Sequence, residues 1–227
     1  MSKMKIAVAG FVLAAMTVTG LTLAGGVGPR ERPDPMPSVD TADVDTSTVP
    51  DMVLGAEEAP ITIIEYASFT CPHCATFHAE TLPRMKTDYI EPGHVRFIHR
   101  AAYFDRYGLW ADMIARCGGP DRYFGIADLI YEGQSDWRRG TPEEAVSELR
   151  RIGRVSGLTP DTLDACLQDS EKAQTLVAWH EENVAADEVR GTPSFIIAGE
   201  TVRNQPYADL RALIDRALVD AGVETGD

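Results

Sequence analysis

The sequence predicts a mixed α/β domain with an all-helical segment inserted into it. Three observations carry this: a strand–helix–strand pattern over residues 61–99, helical patterns over residues 105–187, and a hairpin with one amphipathic helix over residues 194–221. At 227 residues the chain can form one medium domain or two small ones, with ample length for a core. No internal repeat is present.

Residues 61–66, Ile-Thr-Ile-Ile-Glu-Tyr, read as a strand by composition and alternation. A helix over residues 72–89 places Phe77, Leu82, Met85 and Tyr89 on one side, and its interior Pro83 predicts a kink. A second strand over residues 95–99 completes a parallel βαβ unit. Two helical segments follow, over residues 105–117 and 121–131. Thr141-Pro142-Glu143-Glu144 is a capping box with proline at the first helical position, opening a helix with Val146, Leu149 and Ile152 inward. Further helices are expected over residues 159–167 and 170–187. Residues 194–198 and 200–203 flank Gly199 as a hairpin, and residues 207–221 carry Leu210, Leu213, Ile214, Ala217, Leu218 and Ala221 at amphipathic spacing.

The N-terminal part of the chain differs from its body. Lys3 and Lys5 precede an uncharged stretch over residues 6–29, rich in Ala, Val, Leu and Gly, which is the layout of an export signal. Cleavage after Gly20 or Ala24 lacks a strong small-x-small site, and the run is also long enough to stay as a membrane anchor, which needs ~20 residues. Both outcomes export the rest of the chain, because the basic residues stay inside. Residues 30–51, with Pro33, Pro35, Pro37 and Pro50, read as a solvated tether. The formal net charge of −14 argues against nucleic acid and against anionic lipid surfaces.

Four cysteines in an exported chain should be oxidised or redox-active. Cys71 and Cys74 pair locally with ease, which leaves Cys117 with Cys166. That bond would enclose about 50 residues and stabilise the fold by roughly 4 kcal/mol on the loop-entropy model. It reads as structural.

Cys71-Pro72-His73-Cys74 sits where the first strand ends and a helix begins. Cys71 lies among unpaired backbone N–H groups at the positive end of the helix dipole, so its thiolate is stabilised. A stable thiolate is a good leaving group and a reluctant disulfide partner. Each pKa unit below ~8.5 is worth about 1.4 kcal/mol, or about 30 mV of oxidising power. His73 would add to the effect, and Pro72 fits the first helical position because it lacks an N–H. An inert disulfide or half a zinc site would share the same spacing. Zinc needs two more ligands, and Cys117 and Cys166 lack paired spacing while His78, His94, His99 and His180 are scattered, so no metal and no other cofactor is expected.

Two further features point to chemistry. Strand alternation puts Glu65 on the apolar face with Ile61 and Ile63, where an acid is strained, paired, functional or reaching water; it is a candidate proton relay for Cys74. Gly191-Thr192-Pro193 precedes the strand at 194–198. A cis peptide there would leave the Thr192 backbone free to pair with an extended substrate; an ordinary trans proline is the plain alternative.

Together these residues resemble the DsbA-like branch of the thioredoxin superfamily, over roughly residues 51–221. Cys71-Pro72-His73-Cys74 matches the disulfide oxidases' motif, Glu65 the buried acid before it, and Gly191-Thr192-Pro193 the cis-proline loop. The resemblance implies a thioredoxin-like fold over residues 52–103 and 188–227, with residues 104–187 as its helical insertion. It implies Cys71 as nucleophile, Cys74 as resolving thiol, and Thr192 with Pro193 as substrate clamp. The implied activity is donation of the disulfide to unfolded or reduced exported proteins by a periplasmic monomer, reoxidised by a DsbB-like membrane quinone reductase. Thr192 departs from the valine of the best-known oxidase, and the pair Cys117 and Cys166 is absent from it, so redox bias is open. A reductase or isomerase of the same fold is the near alternative, although the short stretch 30–51 has no room for a dimerisation domain. A non-catalytic peptide-binding chaperone or adaptor, with Cys71 and Cys74 as a staple, is the distant one.

Overall fold

Five strands form one mixed sheet in the order β1-β3-β2-β4-β5. The structure, a computed structural model, describes residue 41 and residues 43–223. The export-signal residues 1–29 and residues 30–40 of the tether lie outside the described residues. Among the described residues no helix is long and apolar enough to cross a membrane.

β2 (Ile61–Ala67) is central, parallel to β3 (Val95–Ala101) and antiparallel to β4 (Ser194–Ile197). Its burial alternates as the side chains suggest: Ile61, Ile63 and Glu65 are buried, Thr62 and Ile64 half-buried. β1 (Met52–Leu54) and β5 (Glu200–Arg203) pair antiparallel at the two edges. Three residues are too few for a periodic signal, so β1 was not foreseeable. The β4–β5 turn is tight: Ala198 and Gly199 both take positive φ (49° and 85°), as two-residue hairpin loops of the mirror-image type require.

Between β2 and β3 the chain is helical throughout, but not uniformly α. α1 (Pro72–Thr76) passes into a π-helical stretch Phe77–Thr81, then α2 (Leu82–Met85), then a second π-helical stretch Lys86–Ile90. Pro83 offers no N–H, and the hydrogen bonding changes register around it. The Leu82 N–H reaches back five residues to Phe77 O. Phe77, Leu82, Met85 and Tyr89 are all buried, as their spacing predicts.

Six helices connect β3 to β4: α3 (Arg106–Cys117), α4 (Pro120–Glu132), α5 (Gln134–Trp137), α6 (Pro142–Val155), α7 (Pro160–Gln168) and α8 (Ser170–Ala186). The capping box forms, with Glu144 Oε2 accepting from Thr141 N at 2.8 Å and Thr141 Oγ1 from Glu144 N at 3.3 Å. In α6, Leu149 and Ile152 are buried; Val146 is only half-buried, and its neighbour Ala145 faces the core instead. At the α3–α4 joint Gly119 supplies the positive φ (72°), while Gly118 gives room: a Cβ there would lie 2.4 Å from Ile126 Cδ1. Cys117 and Cys166 are joined, with Cα atoms 6.2 Å apart, tying α3 to α7. α9 (Tyr207–Asp220) closes the fold with Leu210, Ile214 and Leu218 buried and Ala221, past its end, exposed.

The end of the tether, exposed or half-buried throughout its described residues, makes contacts with the body of the chain. Thr41 and Thr46 hydroxyls donate to Glu181 and Glu182 of α8 at 2.8 and 2.6 Å. Pro50 O accepts from Arg116 at 3.0 Å, and Asp51 pairs with Arg100 at 3.0 Å. Polar residues that look like linker composition are here matched to charged partners distant in sequence.

Candidate active site

Cys71 is the N-cap of α1, in extended conformation (φ −85°, ψ 119°), with Pro72 at the first helical position. Its sulfur is half-buried, whereas Cys74, one turn inside, is fully buried; both are free thiols. His73 is exposed. Their environments push the two sulfurs apart. The Cys74 thiol donates to the Cys71 sulfur, which outweighs the opposing effect of burial, and Thr192 and the N–H groups of Cys74 and His73 assist; the Cys71 pKa falls to about 5. Burial, the same sulfur–sulfur hydrogen bond and the charge of Glu65 push the Cys74 thiol far up.

The Thr192–Pro193 peptide is cis. Thr192 O lies 3.4 Å from Cys71 Sγ, where it can accept only from the protonated thiol and not from the thiolate that prevails at neutral pH. Pro193 is buried. Beside this loop a groove of about 550 Å³ is lined by Arg190, Gly191, Thr192, Pro193, Ser194 and Arg203, among others. The β2–α1 and β4 ends thus bring Cys71, Cys74, Thr192 and Pro193 together from positions some 120 residues apart in the chain.

Glu65 is fully buried, opposite His99 in the β2–β3 register. Its Oε2 lies 2.9 Å from His78 Nε2, and its Oε1 has no hydrogen-bond partner. Burial alone would pull His78 down, but Glu65 and then Asp128 overcome it and raise the imidazolium pKa to about 9. His99 goes the other way, lowered by burial to about 4. Tyr123 gives its hydroxyl proton to Asp112 Oδ1 at 2.8 Å, so His99 Nδ1 donates to Tyr123 at 2.9 Å, and His99 Nε2 accepts from Tyr131 at 3.2 Å. A neutral His99 satisfies every bond in that chain. Asp112 is also bonded to Tyr103 and Arg116, at 2.5 and 2.8 Å.

Two of the four histidines outside the motif are not scattered, contrary to their sequence spacing: His78 and His99 converge on Glu65, with ligand atoms within 4.8 Å of one another, whereas His94 and His180 do not join them. The π-helical stretch Phe77–Thr81 and strand β3 bring them there, a convergence invisible without the βαβ geometry. Such a set could hold a divalent cation, but Glu65 Oε2 and His78 Nε2 hold each other and both His99 nitrogens are taken by tyrosine hydroxyls. Gln134 is a second residue sequence analysis missed. Buried in the short helix α5, it donates from Nε2 to Phe69 O at 2.7 Å and Cys71 O at 3.0 Å, fixing the turn that carries the reactive sulfur. No local pattern marks it, because its partners lie more than sixty residues away.

A family model described as thioredoxin matches residues 47–216. The chain belongs to the thioredoxin family. Its solved relatives place it in the DsbA-like branch. Wolbachia pipientis alpha-DsbA1 superimposes with a TM-score of 0.70 at 26% identity, covering 77% of this chain and 96% of that one. A protein-disulfide isomerase from Novosphingobium aromaticivorans gives 0.64 at 26% identity, covering 74% and 97%. Among curated proteins, one from Rickettsia bellii named as a candidate protein-disulfide oxidoreductase is 33% identical over 172 residues, 75% of this chain and 66% of its own length. The chain thus spans slightly less than two thirds of that relative's length.

Proposed function

We propose that this chain is an exported thiol–disulfide oxidase that passes the Cys71–Cys74 disulfide to reduced, unfolded proteins. The observation that carries the reading is the opposed acidity of the two sulfurs, one held at about 5 and the other pushed far up. A substrate thiolate attacks Cys71, and the electron pair of the broken S–S bond goes to Cys74, which takes up a proton. The substrate's second thiolate then attacks its own sulfur in the mixed disulfide and expels Cys71 as a thiolate. The substrate loses two electrons and two protons; the protein gains the two electrons and, at neutral pH, one proton. Expulsion is easiest when the leaving thiolate is stable.

Thr192, whose carbonyl lies 3.4 Å from Cys71 Sγ, offers backbone to an extended substrate segment next to the reactive sulfur. The leader-like residues 1–29 support a periplasmic location, free or anchored. Reoxidation by a DsbB-like membrane quinone reductase and a monomeric state complete the proposal. The alternative direction, isomerase or reductase, is favoured by Thr192 and by the isomerase name of the Novosphingobium relative.

Mixing the oxidised protein with a reduced, unfolded substrate tests the proposal. Substrate thiols should disappear as Cys71 and Cys74 become reduced, and Cys71→Ser should abolish this. Cys74→Ser, offered a disulfide-bearing substrate, should accumulate an adduct joined through Cys71. Persistence of the substrate thiols with wild-type protein refutes the reading.

A further inference from the structure

We propose that His78 and Asp128 are the route by which the proton needed at buried Cys74 enters from solvent, acting through Glu65. The inference rests on the disulfide exchange proposed above and deepens it. Reduction of the Cys71–Cys74 bond leaves negative charge on a sulfur with no exposure, so a proton must be carried inward.

The side chains form a graded path. Glu65 acts electrostatically on Cys74, and its Oε1 is buried and unengaged. Its Oε2 is bonded to His78 Nε2 at 2.9 Å. On the other side of the ring, His78 Nδ1 has no hydrogen bond and faces Asp128 Oδ1 at 3.7 Å. The Asp128 side chain is 45% exposed, against 1% for His78. Both line a cavity of about 640 Å³, with Ala75, Thr76, Tyr131 and Glu132 among its walls. Carboxyl, imidazole and exposed carboxylate follow one another from inside to outside, and the buried sulfur feels the charge of the innermost of them.

The proton bookkeeping closes. The imidazolium of His78 passes its Nε2 proton to Glu65, the Glu65 carboxyl, which makes no hydrogen bond to Cys74 at rest, turns its unengaged Oε1 to the sulfur and protonates the thiolate, and solvent at the Asp128 rim restores His78 through Nδ1. Reoxidation runs the sequence backward. A His78 pKa of about 9 keeps the proton available at neutral pH. His99 cannot serve: both its nitrogens are held by tyrosine hydroxyls, and that chain ends at the buried Asp112–Arg116 pair. The other groups around the route are Cys74, Tyr131 stacked on the ring, Lys86 paired with Asp128 at 3.4 Å, and Glu80 and Glu132 on the cavity wall.

Single-turnover reduction of the Cys71–Cys74 disulfide by a small dithiol, followed against pH in water and in deuterium oxide, tests the route. His78→Gln keeps the buried volume and should slow the step at neutral pH by at least about tenfold. Asp128→Asn, at the rim, should slow it less and leave Cys71 acidity unchanged. Imidazole in the buffer should restore the rate of His78→Ala, which a purely structural role does not allow. Rates within about twofold of wild type in both His78→Gln and Asp128→Asn across the pH range, with no isotope effect, overturn the route and leave the exchange reading intact. A wild-type disulfide that thiols fail to reduce overturns both.

Discussion

Replacing Cys74 with alanine removes the group that does most to make Cys71 acidic. The thiol of Cys74 donates to the Cys71 sulfur, and this is the largest influence on a pKa of about 5. A hydrogen bond to a charged group contributes about 1.5–3 kcal/mol. At about 1.4 kcal/mol per pKa unit, its loss carries Cys71 to roughly 6–7. The lower end of that range is favoured because Cys71 is only half-buried and water screens the interaction. Thr192 and the backbone N–H groups of Cys74 and His73 remain and keep the sulfur below an ordinary thiol. Cys74→Ser retains an O–H donor and should fall between alanine and wild type. Thiolate absorbance against pH in the reduced variants reads these values directly. A Cys71 that titrates identically in wild type and Cys74→Ala would refute the sulfur–sulfur hydrogen bond as the cause, and place the acidity in the helix N-terminus alone.

Three other outcomes follow from named contacts. Gln134→Ala leaves the Phe69 carbonyl without its side-chain donor and should destabilise the fold by about 1–3 kcal/mol while slowing exchange at Cys71, measured by denaturant melts beside thiol-transfer rates. Removing the Cys117–Cys166 bond as the double alanine variant should cost roughly 4 kcal/mol without changing the Cys71 pKa; a loss below about 1 kcal/mol would show that the bond does not constrain the unfolded chain. In Glu65→Gln, burial is no longer opposed by its main counter-charge, so His78 should lose its proton below neutral pH, visible in its imidazole NMR shifts. The raised His78 pKa stabilises the wild-type fold fully below about 6.5, and that contribution fades as pH rises through about 9. Wild type and Glu65→Gln should therefore differ most in melting temperature in mild acid and converge in alkali.

The sheet and most helices were legible because their signals are local. Residues 61–66 alternate, Thr141 and Glu144 cap one another across three positions, and Leu210, Ile214 and Leu218 repeat at helical spacing. The reactive pair was legible for the same reason: a strand end, two cysteines and a helix start are contiguous. What escaped depends on contacts between distant segments. The convergence of His78 and His99 on Glu65 needs a helix laid across two paired strands, and the hold of Gln134 on Cys71 O needs a four-residue helix with no periodic signature. The end of the tether carries contacts that its composition does not reveal. Thr41, Thr46 and Asp51 have the composition of solvated linker, yet each meets a charged side chain more than forty residues away.

Equilibrating the protein with glutathione of known reduced-to-oxidised ratio, and reading the Cys71–Cys74 state at each ratio, weighs the two sulfurs against each other most directly. A thiolate this favoured in the reduced form predicts a potential well above thioredoxin's ~−270 mV, toward the ~−120 mV of a strong oxidant. A value at or below ~−270 mV would mean that the disulfide is the preferred state and that the chain does not give it away.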